Sequence, residues 1–283
     1  MKVGVLILLL FISTSSLAHP TSHEFKEVAA LGKELDKIQL TAKPSIKLTS
    51  RLEDVAVKAG TSITLRCESL STPSANFQWR KNGENIQGSL DINVEEKMLN
   101  IGHSVVNSGI VSSLYTIECP TEDDSGYYSC VASNGHDTVE SMASVEIEGE
   151  TSACRRNHRS APKIVQYTDS RFEMEGNIVT LSCRADRKAM WAWTYEEERL
   201  PEDGRFEILR NGDLRIRSIE WSDMGTYQCI AANKHGESTQ DVFLYPTKSL
   251  KTRFSYVHSL ICSSLPLLRL YKHPPNRNLF FYS

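Results

Sequence analysis

A short phrase occurs twice in this chain, as DDSGYYSC and as SDMGTYQC. The shared positions are Asp124, Gly126, Tyr128 and Cys130 in the first copy and Asp223, Gly225, Tyr227 and Cys229 in the second. Each copy is preceded by a Cys and then a Trp at similar spacing: Cys67 and Trp79, then Cys183 and Trp193. A motif of this length with matched partners rarely arises twice by accident. The repeat therefore predicts two copies of one kind of domain.

The pattern resembles that of the immunoglobulin β-sandwich. In that fold the second Cys bridges to strand B, a Trp on strand C packs on the bridge, and the Tyr bonds back to the backbone of the corner before strand F. The resemblance implies two disulfides and two core tryptophans: Cys67–Cys130, Cys183–Cys229, Trp79 and Trp193. We predict an all-β protein of two tandem immunoglobulin-like sandwiches of the I-set or V-like kind, with a short N-terminal helix and an irregular C-terminal tail.

The segment before the first sandwich has two parts. Residues 1–18 have a basic start, an apolar stretch and a small-residue cleavage site, which together predict a secretory signal peptide. That stretch is too short to span a bilayer, and no later stretch is long and apolar enough, so we expect a secreted, extracellular chain without a transmembrane segment. Apolar residues recur at helical spacing within the leader, 19–43, which predicts either an amphipathic helix or a partly ordered leader.

The expected domain bounds are 44–148 for domain 1, 149–162 for the linker and 163–246 for domain 2. In domain 1 the thirty or so residues between Gly83 and Leu114 have room for strands C′ and D and an edge strand, and SLYTIEC, 113–119, is expected as strand E. Residues 247–283 are basic and carry the odd Cys262, and their apolar run is broken by Pro266 and Arg269. We expect a weakly ordered tail there.

Cys119 and Cys154 remain after the two sandwich bridges are assigned. An exported chain meets an oxidising compartment, where cysteines pair. An intramolecular Cys119–Cys154 bridge would pin the linker to domain 1. Intermolecular pairing of one or both is the alternative.

Domain 2 offers two further predictions. Arg205 opens strand D, where immunoglobulin domains often pair an Arg with the corner Asp, so we predict an Arg205–Asp223 ion pair. Trp191 lies two residues before Trp193, and alternation along a strand puts both on the inner face. Because Trp193 takes the core position, Trp191 is expected nearer the end of the sandwich, either packed there or serving as an exposed anchor for a partner.

Charge and composition narrow the class of function. The net charge is −3, but the tail holds six Lys or Arg and no acid and the signal peptide holds one Lys, so the remaining body, 19–246, carries −10. An acidic body argues against nucleic-acid binding and is compatible with a basic protein partner. Nothing suggests a catalytic group, a cofactor or a metal site, and we predict a protein that is not an enzyme. One basic cluster in the linker could bind heparan-type sulfates or an acidic partner, or could simply be solvated: Arg155, Arg156, Arg159 and Lys163.

Domain 2, especially the run ILRNGDLRIRSIEWSDMGTYQCIAANKHG, resembles small secreted two-immunoglobulin proteins of invertebrates. These include the nematode zwei-Ig proteins, and the insect neural/ectodermal development factor is a relative. The first resemblance implies a neuronal cue that keeps axons in position, whose partner is a neuronal surface receptor. The second implies a soluble binder of insulin-like peptides. Cell adhesion or matrix association is a third hypothesis, and the sequence does not choose the partner.

Overall fold

The structure, a computed structural model, describes residues 41–149, 159–201 and 203–248, and these fold into two β-sandwiches. Domain 1 contains eight strands and one helix: β1 Ser45–Ser50, β2 Val55–Lys58, β3 Ile63–Thr72, β4 Asn76–Lys81, β5 Glu84–Gly88, α1 Val94–Leu99, β6 Ser108–Ile117, β7 Gly126–Ser133 and β8 Thr138–Glu148. Domain 2 contains nine strands: β9 Ile164–Met174, β10 Val179–Leu181, β11 Cys183–Ala185, β12 Met190–Tyr195, β13 Glu198–Arg199, β14 Phe206–Ile208, β15 Leu214–Ile216, β16 Gly225–Asn233 and β17 Gly236–Thr247. A short 3-10 turn precedes β7 at Glu122–Asp124 and β16 at Trp221–Asp223.

These strands form three sheets. Five strands make one face of domain 1 in the order β2-β8-β7-β4-β5, and three make one face of domain 2 in the order β10-β15-β14. The remaining nine form a single sheet that runs through both domains in the order β1-β3-β6-β9-β17-β16-β12-β13, with β11 also paired to β9. The all-β, two-sandwich prediction is confirmed.

Each domain has its own core, built by period-two alternation along the strands. In β3 the buried Leu65 and Cys67 alternate with the exposed Thr64 and Arg66. The core of domain 1 gathers around Cys67, Cys130 and Trp79, and the core of domain 2 gathers around the corresponding residues Cys183, Cys229 and Trp193.

The two sandwiches share a sheet because β9 of domain 2 pairs with β6 of domain 1. The pairing is antiparallel and runs from Ser108 opposite Phe172 to Ser113 opposite Gln166, with a bulge between Ile110 and Val111. On its other edge β9 pairs with β11 and, in parallel, with β17. Backbone hydrogen bonds therefore cross the domain boundary as a regular ladder.

The prediction of a strand D in domain 1 is wrong, because the described chain between β5 and β6 contains a helix and no strand. After β5 the chain forms the helix α1, with Asn93 as N-cap, because the Asn93 Oδ1 accepts a hydrogen bond from the Glu96 backbone N–H at 3.0 Å. Glutamates in the first turn favour a helix start. Strand E is also longer than expected, since β6 begins at Ser108. The edge of β6 that strand D would have covered is covered by β9 instead.

Several expectations fall on residues outside the described ranges. These are the signal peptide 1–18, the leader helix, most of the linker, and the tail beyond residue 248. The described part of the tail is too small to test the prediction made for it.

Candidate binding surfaces and the junction between the domains

The cysteines and tryptophans of the repeated motif meet in the two cores. Cys67 is bonded to Cys130, and Cys183 to Cys229. Trp79 is fully buried and its indole N–H donates to the Ser113 hydroxyl at 2.9 Å. Trp193 is also buried, and its indole N–H donates to the Gly212 carbonyl at 2.9 Å. Both indole donors are satisfied, as buried polar groups need to be.

The two tyrosine corners have the same geometry. The Tyr128 hydroxyl donates to the Asp124 carbonyl at 2.7 Å, and the Tyr227 hydroxyl donates to the Asp223 carbonyl at 3.1 Å. Burial raises the pKa of Tyr227 far above its ordinary value, so this hydroxyl stays protonated and remains a donor. The glycines of the motif, Gly126 and Gly225, begin strands β7 and β16 directly after the corners.

Arg205 and Asp223 form an ion pair between the start of β14 and the corner of domain 2. The Arg205 guanidinium also donates a hydrogen bond to the Ser218 carbonyl at 3.3 Å. Burial would lower the pKa of Arg205, but its hydrogen bond to Asp223 and the charge of that carboxylate raise the pKa above the usual value. Asp223 also accepts the Glu220 backbone N–H at 2.7 Å, so one carboxylate closes the turn and holds the arginine.

The linker residues are only partly described. Cys119 is disulfide-bonded, but Cys154 lies outside the described residues, and the Cys119–Cys154 bridge stays a prediction. Of the basic cluster, Arg155 and Arg156 also lie outside. The Lys163 ammonium forms an ion pair with Glu118 at 2.6 Å, which ties the start of domain 2 to the end of β6. Lys163 is therefore already partnered within the protein, which reduces the charge the cluster can offer a ligand.

The junction between the domains is polar and buried. Arg171 on β9 is 2% exposed and contacts Glu96 of α1 at 2.5 Å and Glu173 at 3.4 Å. It also donates to the Asn107 side chain. Two carboxylates thus share one buried guanidinium, and one of them comes from the helix that replaces strand D.

Backbone N–H groups also donate hydrogen bonds to the two buried carboxylates, Glu96 and Glu173. Glu173 accepts the backbone N–H groups of Val106 at 2.8 Å and Asn107 at 3.1 Å, and Glu96 accepts that of Thr180 at 2.8 Å. Burial raises the pKa of Glu96 above its ordinary value, and Arg171 opposes that rise. The charge of Arg171 therefore favours the ionised form of Glu96, against the larger effect of burial.

Two further contacts join α1 and the turn after it to domain 2. The Asn100 side chain bonds both backbone groups of Ile178, accepting from the N–H and donating to the carbonyl, each at 2.8 Å. Arg215 of β15, which is 5% exposed, pairs with Glu95 at 2.6 Å. Helix α1 thereby reaches three strands of domain 2. Sequence reasoning missed this network because its partners lie about 75 positions apart and no local pattern marks them.

Aromatic rings project from the outer face of the nine-stranded sheet in domain 2. On β17 the buried Val242 and Leu244 alternate with Phe243 and Tyr245, which are more than a third exposed. The Tyr245 ring contacts Phe172 of β9 and Trp221 of the 3-10 turn, with ring centroids 5.8 Å apart in each case. These three rings form a contiguous row across the sheet and the adjoining 3-10 turn, and aromatic side chains of this kind are common anchors for a protein partner.

Domain 1 exposes a second apolar area on its five-stranded sheet. Tyr127 and Met142 are 62% and 64% exposed and lie beside a shallow depression of about 440 Å³. Arg80 and Glu140 also line it.

Two negative findings apply to the residues that the structure describes. None of their helices is long and apolar enough to cross a membrane. They also contain no group of three or more His, Cys, Asp or Glu side chains placed to hold a metal ion.

Comparison with known proteins decides the family. Residues 43–134 match the immunoglobulin domain model, and residues 162–245 match the immunoglobulin I-set domain model. The chain is 50% identical to zwei Ig domain protein zig-4 of Caenorhabditis elegans over 85% of its length and 96% of that protein. It is 49% identical to zig-3 of the same organism over 86% of its length and 98% of that protein. The chain belongs to the zwei Ig domain proteins. The resemblance found in domain 2 is thereby confirmed.

A solved structure shares the two-domain arrangement of this zwei Ig protein. The neural ectodermal development factor IMP-L2 is 24% identical, with a TM-score of 0.57, over 74% of this chain and 98% of that chain. At this identity the match shows a shared fold and nothing more.

Proposed function

We propose that this zwei Ig protein is a secreted, extracellular binding protein that acts as a cue for the maintenance of axon position. The observation that carries the proposal is the 50% identity with zig-4 over nearly the whole of both chains. The signal-peptide pattern of residues 1–18 supports export. Both matching domain models are immunoglobulin models, a class of binding module, and we propose no catalytic activity.

The geometry supports a binding role in one specific way. Because the nine-stranded sheet and the Arg171 network join the domains, side chains on both domains keep fixed positions relative to one another. Binding a partner that contacts both domains would not require this surface to be ordered first, and a preorganised surface lowers the entropic cost of binding. The aromatic row of Phe172, Tyr245 and Trp221 provides a rigid anchor on that sheet. We propose a neuronal surface receptor as the partner.

The test is rescue of axon position in Caenorhabditis elegans lacking zig-4 and zig-3. The full chain is expressed from neurons, and axon position is scored in adults after the nervous system has formed. We expect rescue by the full chain and none by a matched chain that lacks residues 2–18, because that chain would not be exported. Rescue by both chains would contradict extracellular action, and rescue by neither, with the protein found outside cells, would contradict the cue.

Sequestration of an insulin-like peptide is the second candidate. It rests on the resemblance of domain 2 to the insect development factor, and on the exposed aromatic row, which offers apolar area to a small folded peptide. A saturable one-to-one complex in solution with an insulin-like peptide would support it, and a Trp221→Ser variant should weaken that complex. The absence of binding across the insulin-like peptides of the source animal would remove this candidate and leave the axon cue untouched.

Adhesion or matrix association is the remaining proposal, through the cluster of Arg155, Arg156, Arg159 and Lys163. Its test is retention on a heparin column at about 0.15 M salt, where contacts between exposed charges are already weakened by screening. A chain with Arg155, Arg156 and Arg159 changed to Gln should elute earlier. Unchanged elution would show that this cluster does not bind sulfated polysaccharide.

A further inference from the structure

A groove opens at the edge of domain 2, between the last strand of each sheet. Strand β13 ends the nine-stranded sheet and β14 ends the three-stranded sheet, and the two are not paired with each other. The groove has a volume of about 460 Å³, and its lining includes Trp191, Leu200, Pro201, Phe206, Ile208 and Arg199. Ligand sites in proteins commonly have volumes in this range.

The indole of Trp191 forms a fixed wall of this groove. Trp193, two residues on, fills the core, so Trp191 is held toward the edge of the sandwich and stays half-buried. Its ring lies against Gly212, where an added Cβ would come within 2.5 Å of the Trp191 Cε2. Gly212 also has a φ of +105°, which favours glycine. A Cβ at this position would also meet the Cys183 carbonyl oxygen at 2.3 Å, so a glycine leaves room for both that carbonyl and the indole.

The opposite wall is apolar and the rim is cationic. Ile208 is 42% exposed, and Phe206 beside it is half-buried. Arg199 is exposed and, among the described residues, has no ion pair and no side-chain hydrogen bond. The described lining holds this one cation and no carboxylate. An aromatic slot with a single available guanidinium is complementary to an aromatic group beside an acid.

We propose that the groove binds an aromatic side chain flanked by a carboxylate, presented by a partner polypeptide. The ring would pack between Trp191 and Phe206, where paired aromatic rings gain attraction beyond simple burial. The carboxylate would accept two parallel N–H bonds from Arg199, a geometry that guanidinium favours and that lysine cannot supply. The inference rests on the proposed function only in that the protein binds another protein, and it names the chemistry of that partner.

The probe is the capped dipeptide Ac-Trp-Glu-NH2, with Ac-Trp-Gln-NH2 as its uncharged control. Each is titrated into the mature full chain labelled with 15N, and the indole N–H signal of Trp191, assigned with a Trp191→Phe variant, is followed. We expect saturable shifts for both peptides and a Kd about 1.4- to fivefold lower for the acidic one, the range for an exposed ion pair. In Arg199→Gln that preference should vanish, whereas Arg210→Gln, a change at an exposed arginine outside the groove lining, should keep it.

Equal affinity for the two peptides would overturn the carboxylate part of the proposal. No saturable shift at Trp191 up to about 10 mM, well above the weak end of the usual affinity scale, would overturn the groove as a site altogether. Neither result bears on the axon rescue, which depends on export and on the whole protein. A failed rescue together with peptide discrimination at Arg199 would leave the groove in place and remove the proposed cue.

Discussion

Arg171 should be the most consequential charged residue of the fold. Replacing it with Met keeps most of its volume and removes the charge shared by Glu96 and Glu173, whose side chains are 6% and 0% exposed. Breaking a buried ion pair from one side costs about 3 to 5 kcal/mol, because an uncompensated charge is left in the interior. That is a large part of the roughly 5 to 15 kcal/mol that stabilises a typical protein.

The assay is urea unfolding of the full mature chain with its disulfides intact, followed by tryptophan fluorescence. The matched control is Arg66→Met, which breaks the Arg66–Glu68 pair, whose side chains are 50% and 21% exposed. Surface pairs contribute about 0 to 1 kcal/mol. We therefore expect Arg171→Met to lower the free energy of unfolding by several times more than Arg66→Met.

The pH dependence of the free energy of unfolding provides a second measurement, and its direction can be predicted. Glu96 has its pKa raised by burial, so the folded state takes up its proton more readily than the unfolded state. Without Arg171 the main opposition to that rise is lost, and protonation then favours folding as the pH falls toward the raised pKa. The difference in unfolding free energy between Arg171→Met and the wild type should therefore narrow as the pH falls from neutral toward about 4.3, the ordinary pKa of a glutamate in an unfolded chain. Equal losses in the two arginine variants, or a gap that widens as the pH falls, would refute the reasoning.

Three other changes test separate contacts. Asn100→Ala removes both bonds to Ile178 at the junction and leaves partly buried backbone groups unpaired, which should cost about 1 kcal/mol or more in the same unfolding assay. Tyr128→Phe leaves the Asp124 carbonyl without its 2.7 Å partner and should cost about 1 kcal/mol or more by urea midpoint, with no change in slope. Arg205→Met removes a partly exposed ion pair and should lower the free energy of unfolding by about 1 kcal/mol at most. A loss as large as that of Arg171→Met would show that burial does not set the strength of these ion pairs.

The contacts that sequence could predict are those marked by a recognisable motif within one domain. The bridged cysteines are 63 and 46 positions apart, but the Cys–Trp–Cys pattern and the Asp-x-Gly-x-Tyr-x-Cys phrase mark them, and the residues they name meet in the two cores. The Arg205–Asp223 pair is separated by 18 positions and belongs to the same pattern. In these cases each residue type is required by one known position of the sandwich.

The junction could not be predicted in the same way. Glu96, Asn100 and Arg171 look like surface residues in the sequence, since charged and amide side chains are seldom buried unless they are paired. One local signal was available. Gly109 lies within β6, and a Cβ there would stand 2.9 Å from the Ser170 carbonyl of β9. A glycine inside a strand often marks the close approach of another backbone, and in this chain the other backbone belongs to domain 2.

Helix α1 and the shared sheet have one physical cause. Strand D would normally cover the edge of strand E, and an uncovered edge invites pairing with another chain. In this protein the VEEKML segment forms a helix instead, so the edge of β6 stays open and β9 occupies it. The same helix then supplies Glu95 and Glu96 to arginines of domain 2. Losing one strand therefore both opens the edge and places the acids that hold the second domain against it, so each domain completes the other.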